Sequence, residues 1–418
     1  MTTTAASPKS NLLQAMLLVA GTSIGGGMLA LPVATGISGF FPSLVVMILC
    51  WIAMTATGLM LVEVSLWMRE GSHMISMSGK MLGNPGRVVS WILYLFICYA
   101  SIVAYTAGGG MQIAESIKTI FGIELSRATS CFLFFFLFGM LVDFGARILG
   151  RVNSVLFFGM LGAYFLVIGA GAPEVLLENL LYNKWSTAFI GIPLILTSFS
   201  FQTMVPSLTP FLNRNPQHLR WCVIGGTTIT LCVYIVWQWL VLGIVPAEGP
   251  NGLIQALNEG AIATNFISKS AQSPYVVVIA GFFAFFALVT SFLGMSLGLF
   301  DFLSDGLGIP KKGWGKAKLG LIIAAPTLFF AIYFERAFLV AMDASGGFGD
   351  TILNGIIPVM MVWVGRYRMN LPGIMGWIGS RPFLILVCLF FLISLGIEVL
   401  IHLGVLSSIY DISEINLL

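Results

Sequence analysis

Hydrophobic positions in this chain do not alternate or recur on one helical face. They run unbroken for about 20 residues at a time, the length of helix needed to cross a bilayer. Charged or Pro/Gly-rich breaks separate eleven such runs, at 12 to 37, 40 to 68, 88 to 117, 128 to 146, 152 to 172, 186 to 212, 221 to 245, 275 to 303, 319 to 334, 338 to 365 and 383 to 405. The pattern predicts an all-α polytopic membrane protein of eleven transmembrane helices in a single domain, 1 to 418. The first run follows Lys9, as a signal peptide would, but it continues past a cluster of small residues and reads as a retained span.

Composition agrees with the pattern. Hydrophobic residues make up 58% of the 418 and charged ones only 9%, against roughly a quarter in soluble domains. A net charge of +3 with dispersed basic residues gives no reason to expect a nucleic-acid partner; the bilayer is the expected partner. Five cations, Lys118, Arg127, Lys184, Lys269 and Arg336, fall on one side of the predicted topology, and the other fifteen on the opposite side. Short loops rich in Lys and Arg stay in the cytoplasm. The N-terminus is therefore expected inside and, after an odd number of spans, the C-terminus outside.

Two spans are built to be weak helices. "GTSIGGGMLALP", 21 to 32, carries Thr22, Ser23 and the triplet Gly25, Gly26 and Gly27 near mid-span. Broken backbone is tolerated in hydrocarbon only where it faces protein or a water-filled cavity. The glycines therefore point either to a solute site, with the helix start near Met28 favouring a carboxylate, or to close helix packing. The sixth span, "GIPLILTSFSFQTMVPSLTPFL", places Thr197, Ser198, Ser200, Gln202 and Thr203 at mid-depth before Pro206. Two interrupted helices five spans apart are the mark of inverted-repeat transporters. The repeats are expected at 12–172 and 186–365, with 383–405 as an extra helix.

The segments "GTSIGGGMLALP", "SFSFQTMVPSL" and "TSFLGMSLGLFDFLSD" (290 to 305) resemble the signatures of the bacterial hydroxy and aromatic amino acid permease family, most of all its tyrosine/tryptophan-specific members. The resemblance covers nearly the whole chain. It implies a leucine-transporter-like fold of ten core spans plus one, in the inner (plasma) membrane. It also implies import of an aromatic amino acid, tyrosine favoured and tryptophan next, generally with proton entry. Many relatives carry histidine where Gln202 stands, so a proton role at that position is in doubt here. In sodium-coupled members of this fold, paired hydroxyls at the place of Thr290 and Ser291 join carbonyls of the broken first helix around the ion. Some proton-coupled relatives instead use a lysine in the fifth span, and 152 to 172 contain no cation.

Substrate contacts are expected from Thr22, Ser23, Gly25, Gly26, Gly27, Ser198, Phe199, Ser200, Phe201 and Gln202, with Tyr99 and Tyr105 on the third span. The rings suit an aromatic substrate but equally a lipid face or core, the chain having 33 Phe. Gln202 suits a substrate hydroxyl or indole N–H, or a bond that holds the broken backbone. Among ionisable groups within spans, functional suspects by default, Glu63 lies close to Arg69 and Asp143 has Arg147 one turn on. Asp301 and Asp305 precede a basic loop, and Glu398 with His402 lies near the outer end of the last span. Asp350, in "DASGGFGDTILNG", is deep in the tenth span and is the candidate for ion coupling.

No enzyme is legible. There is no phosphate-binding loop, and His73, His218 and His402 sit at loops or a span end. Cys50, Cys98, Cys131, Cys222, Cys232 and Cys388 lie in apolar runs without metal-ligand spacing, so no cofactor or metal is expected. The competing readings are a channel or structural membrane subunit and, among carriers, a sodium-coupled or serine/threonine-type permease of the same fold.

Overall fold

The computed structural model describes residues 8–70, 72–143, 146–334 and 336–406. Helices follow the predicted runs closely. The first span is two helices, α1 (Pro8–Ser23) and α2 (Gly26–Gly36), followed by α3 (Phe40–Trp67), α4 (Met74–Phe121), α5 (Arg127–Asp143), α6 (Ala146–Gly171) and the short α7 (Leu177–Leu181). The sixth span comprises α8 (Ile192–Ser198) and α9 (Val205–Phe211), and α10 (Pro216–Ile244) is the seventh. Two short helices, α11 (Leu253–Glu259) and α12 (Ala263–Ser270), pack on α2 before α13 (Pro274–Leu307) and α14 (Trp314–Tyr333). The tenth span joins α15 (Ala337–Ala344) to α16 (Ile357–Tyr367) through a π-helix, Ser345–Ile356, and α17 (Arg381–His402) closes the set.

Among the described residues nine helices are long and apolar enough to span, ten when the bent pair α1/α2 counts as one, and Arg127–Leu141 is a shorter apolar helix. One difference from the predicted runs lies at the start of the third span. Nine residues before Gly83 continue α4 outward through a turn in which Gly83 has φ +74°, a left-handed conformation that only glycine adopts without cost.

Burial sorts the spans into two shells. About seven-tenths of α3 and two-thirds of the sixth and tenth spans are buried by protein, against 28% for α6, α14 and α17. The outer helices show Val155, Phe158, Phe165 and Leu321 on their open faces, as a lipid-facing surface should. The inner shell thus contains the interrupted sixth and tenth spans, and α2 of the interrupted first span is buried along its whole length. Its members approach closely because glycines meet side chains: Gly226 of α10 lies under Val19 of α1, Gly109 of α4 under the Phe134 ring of α5, and Gly365 of α16 under Trp67 of α3. Small residues at such contacts let helices pack where no hydrophobic force acts between them.

One buried ion pair ties the inner shell together. Glu63 of α3 does not pair with Arg69, its neighbour in sequence, but takes a two-pronged grip from Arg366 of α16, Nε to Oε1 and Nη2 to Oε2 both at 2.6 Å. The Met375 amide also donates to Oε2, at 2.8 Å. Two parallel N–H···O bonds from one planar guanidinium make this a stronger and more directional contact than a single point charge would give. Lys311 meets Asp301 at 2.7 Å, as the basic loop suggested, while the expected Asp143–Arg147 pair falls outside the described side chains.

Glu63 is 1% exposed, so removing one partner strands a buried charge, at about 3–5 kcal/mol. Arg366→Leu should lower the unfolding midpoint in detergent sharply, and the Glu63→Met/Arg366→Leu pair should recover most of the loss. A double variant as unstable as the two single losses added together would show that the pair itself is not the tie.

Candidate functional site

Helices that stop inside a bilayer leave their last carbonyls without intrahelical donors. Here α1 stops at Ser23 and α8 at Ser198, and both ends arrive at one phenol. The Tyr234 hydroxyl of α10 lies 2.6 Å from the Ser23 carbonyl and 2.7 Å from the Ser198 carbonyl. A hydroxyl has one proton to donate, so the two carbonyls share it. One turn on, the Trp237 indole donates to the Met28 carbonyl at 2.9 Å, and Gln238 Nε2 donates to Thr35 Oγ1 at 2.6 Å. The seventh span therefore supports the first along both of its halves.

At the first break the helix axis turns by 54°. The glycine triplet is filled by its neighbours. The Gly26 amide donates to Ser291 Oγ of α13 at 2.9 Å. A Cβ on Gly26 would lie 2.5 Å from the Tyr105 ring, one on Gly25 would run into Ser291 Oγ, and one on Gly27 would stand 3.3 Å from Ser198 Oγ and Met342 Cε. All three glycines are buried, so close packing is what the triplet shows here. Thr22 is exposed and its hydroxyl returns to Leu18 O at 2.7 Å; Ser23 is buried.

The sixth-span break is held from two sides. On one side, Ser200 Oγ donates to Asp350 Oδ1 at 2.7 Å, and Asn354 Nδ2 reaches that same oxygen at 2.6 Å and Ser200 Oγ at 3.0 Å. The Thr197 hydroxyl donates to Met342 O at 2.8 Å. Gly346 lies so close to the Pro193 carbonyl that any Cβ would overlap it. Asp350 is fully buried and its Oδ2 makes no hydrogen bond, although the Thr197 and Ser345 hydroxyls are near it. On the other side, Gln202 Oε1 accepts from the Phe201 amide at 2.9 Å, and Nε2 donates to Met54 O at 3.2 Å and Thr57 Oγ1 at 3.3 Å. Every polar atom of Gln202 is thus engaged in holding broken backbone to α3.

The remaining predicted residues divide. Phe199 is buried edge-on against Tyr234, 5.1 Å between centroids, and Tyr105 borders the first break. Phe201 instead occupies the space left by Gly58, and Tyr99 points to α14, its hydroxyl on Ile322 O at 2.9 Å. Ser291 stands at the first break, while Thr290 bonds back to Phe286 O of its own helix at 2.8 Å. Tyr234, Trp237 and Asn354 were not foreseen. A signal existed: Tyr234, Trp237 and Gln238 lie at helical spacing on one face of an apolar span, where polar tips need partners.

The profile of the tryptophan/tyrosine permease family matches residues 8–398. Tyrosine-specific transport system 1 of Haemophilus influenzae is 32% identical over 90% of this chain and 94% of its own length. Tryptophan-specific transport protein of Pseudomonas aeruginosa is 28% identical over 92% and 93%, and tyrosine permease of Enterobacter agglomerans 27% identical over 85% and 88%.

Tyr234→Phe keeps the ring contact with Phe199 and removes the donor shared by two buried carbonyls, each worth about 1–3 kcal/mol when stranded. The variant should insert, unfold at lower denaturant, and lose uptake more than expression. An unchanged unfolding midpoint together with unchanged uptake would mean that the hydroxyl ties nothing.

Proposed function

Since the chain belongs to the tryptophan/tyrosine permease family and is a multi-pass secondary transporter of an aromatic amino acid rather than an enzyme, we propose that it imports tyrosine, with tryptophan next, by proton symport. One observation carries the reading: two interrupted helices meet at a single point, and Asp350 is hydrogen-bonded into one of the two interruptions. A carboxylate placed there links its own protonation to the geometry of the break. Tyrosine is placed first on the 32% identity to one tyrosine-specific protein, while another tyrosine permease, at 27%, stands below a tryptophan-specific one at 28%, so the competition assay decides between them.

The substrate would lie at the breaks, its carboxylate on the backbone amides around Gly25, Gly26 and Gly27 and its ring among Tyr105, Phe199 and Tyr234. Amides at the start of α2 suit an anion, and the rings suit an aromatic side chain. Proton coupling is favoured over sodium by Asp350, a titratable group buried at the second break. Ser291 Oγ accepts from the Gly26 amide and Thr290 Oγ1 donates within its helix; both oxygens keep a lone pair, so sodium remains the competing ion. Serine would leave the rings without a partner, which argues against a serine/threonine-type permease.

For the architecture, we infer eleven spans with Arg127–Asp143 as the fourth, an inverted repeat relating 12–172 to 186–365, and 383–405 outside it. Packing supports the repeat. The fifth span lies along the eighth (α6 on α13), and the third lies along the tenth (α4 on α15 and α16), pairings that an exchange of halves would interchange. The charge bias places the N-terminus in the cytoplasm of a bacterial cell and the C-terminus outside.

Two measurements in proteoliposomes test this. Accumulation of labelled tyrosine should follow an inward proton gradient in sodium-free buffer, collapse with a protonophore, and be competed by tryptophan but not by serine. Asp350→Asn should abolish accumulation while preloaded substrate still exchanges. Strict sodium dependence would overturn the proton assignment, competition by serine the aromatic one, and uptake that neither saturates nor concentrates would leave a channel.

A further inference from the structure

Between α16, α17 and the start of α4 runs a groove of about 500 Å³. Met360, Val364 and Arg368 line it from α16, Leu384 and Ile385 from α17, and Met81 from α4. Steps of four residues share one helical face, so the α16 stripe is about 12 Å long and ends at the helix C-terminus. Met360 and Ile385 are nearly half exposed, and the groove therefore opens toward lipid. Trp363, which also lines it, packs on Tyr367 with 5.3 Å between ring centroids.

The rim of the groove is cationic. Arg368 is exposed, and among the described residues its guanidinium is the one charged group lining the groove and has no side-chain partner. Nor is it needed to cap α16. The Val364 carbonyl accepts from the Arg368 and Met369 amides, and the Gly365 carbonyl from the Leu371 amide. Arg381, one turn before Leu384 and Ile385, lies over the Tyr367 ring at 4.7 Å, which sets a second guanidinium at the same end. Arg366, by contrast, is held by Glu63. The stretches that wall the groove, 74 to 92 and 357 to 392, contain no Asp or Glu, so no acid on them offsets the two arginines.

An exposed cationic rim above an apolar channel, on a face that looks into the bilayer, calls for a molecule with phosphate at one end and hydrocarbon at the other. We propose that the groove seats one anionic phospholipid of the surrounding membrane, its phosphate on Arg368 and Arg381 and an acyl chain along Val364 and Met360. Guanidinium forks grip phosphate oxygens in pairs, and basic pockets between transmembrane helices hold such head groups. A zwitterionic lipid would bring its own ammonium against the two arginines, whereas an anionic one brings none. Touching three helices at once, the lipid joins α17, the helix outside the proposed repeat, to the tenth span. The site lies apart from both helix breaks and is independent of which amino acid or ion is carried.

Native mass spectrometry of the delipidated full chain in detergent, titrated with phosphatidylglycerol or with phosphatidylethanolamine of the same acyl chains, counts the lipids bound. One phosphatidylglycerol should bind ahead of all others, and phosphatidylethanolamine should not replace it. Arg368→Gln should weaken that first binding about fivefold, and adding Arg381→Gln should weaken it about fivefold again. Ile385→Trp, which keeps every charge and fills the groove, should weaken it too, while Lys118→Gln at the far end of α4 should not. These side chains are exposed, so the variants leave the buried core intact. As a second reading, phosphatidylglycerol should raise the thermal unfolding midpoint of the wild type and not that of Arg368→Gln/Arg381→Gln. Equal binding of the two lipids, a first lipid indifferent to both the arginine and the Ile385→Trp changes, or its displacement by millimolar inorganic phosphate would overturn the proposal.

Discussion

A helix that ends in the middle of a membrane must find donors for its carbonyls from protein alone, and this chain does so twice with one side chain. Tyr234 receives the ends of α1 and α8 at 2.6 and 2.7 Å. Because water is absent from hydrocarbon, these bonds decide whether broken helices are tolerated at all. The rest of the inner shell follows from that constraint. Trp237 continues the support along α2, Gln202 binds the second break to α3, and Asp350 with Asn354 closes it from the tenth span.

This division of labour separates the polar residues by what they can afford to do. Gln202 is saturated by backbone and α3, so its energy goes into fixing shape. Asp350 keeps one oxygen outside any hydrogen bond, so it retains capacity for a change of state. Ser291 lies between these cases, accepting from Gly26 while belonging to a different span. A movement of α13 relative to the first span would therefore be felt first at that amide.

Much of the architecture was legible, because spans are written in long apolar runs and breaks in glycine and proline. The triplet at Gly25 to Gly27, the weak stretch at Ser198 to Gln202 and the depth of Asp350 all fall where the sequence places them. What sequence could not supply was partnership across distance. Glu63 had a cation six residues away in Arg69, yet its partner is Arg366, 303 positions on. Tyr99 and Tyr105 read alike on one helix, but six residues rotate a helix by well over a right angle. One ring meets α14 and the other the first break. The glycines in "DASGGFGDTILNG" announced a weak helix but not that it would widen into a π-helix, which requires knowing that α8 and α17 press on either side.

The contacts in which a bare backbone receives a neighbour's ring have an evolutionary corollary. At Gly58 against Phe201, Gly109 against Phe134, Gly355 against Phe391 and Gly365 against Trp67, the ring occupies the place a Cβ would need. Neither member can drift alone: a larger residue at the glycine collides, and a smaller one at the ring opens a void. Descendants of this chain should therefore change such positions two at a time or not at all, and single substitutions should gather on the helix faces that look into lipid.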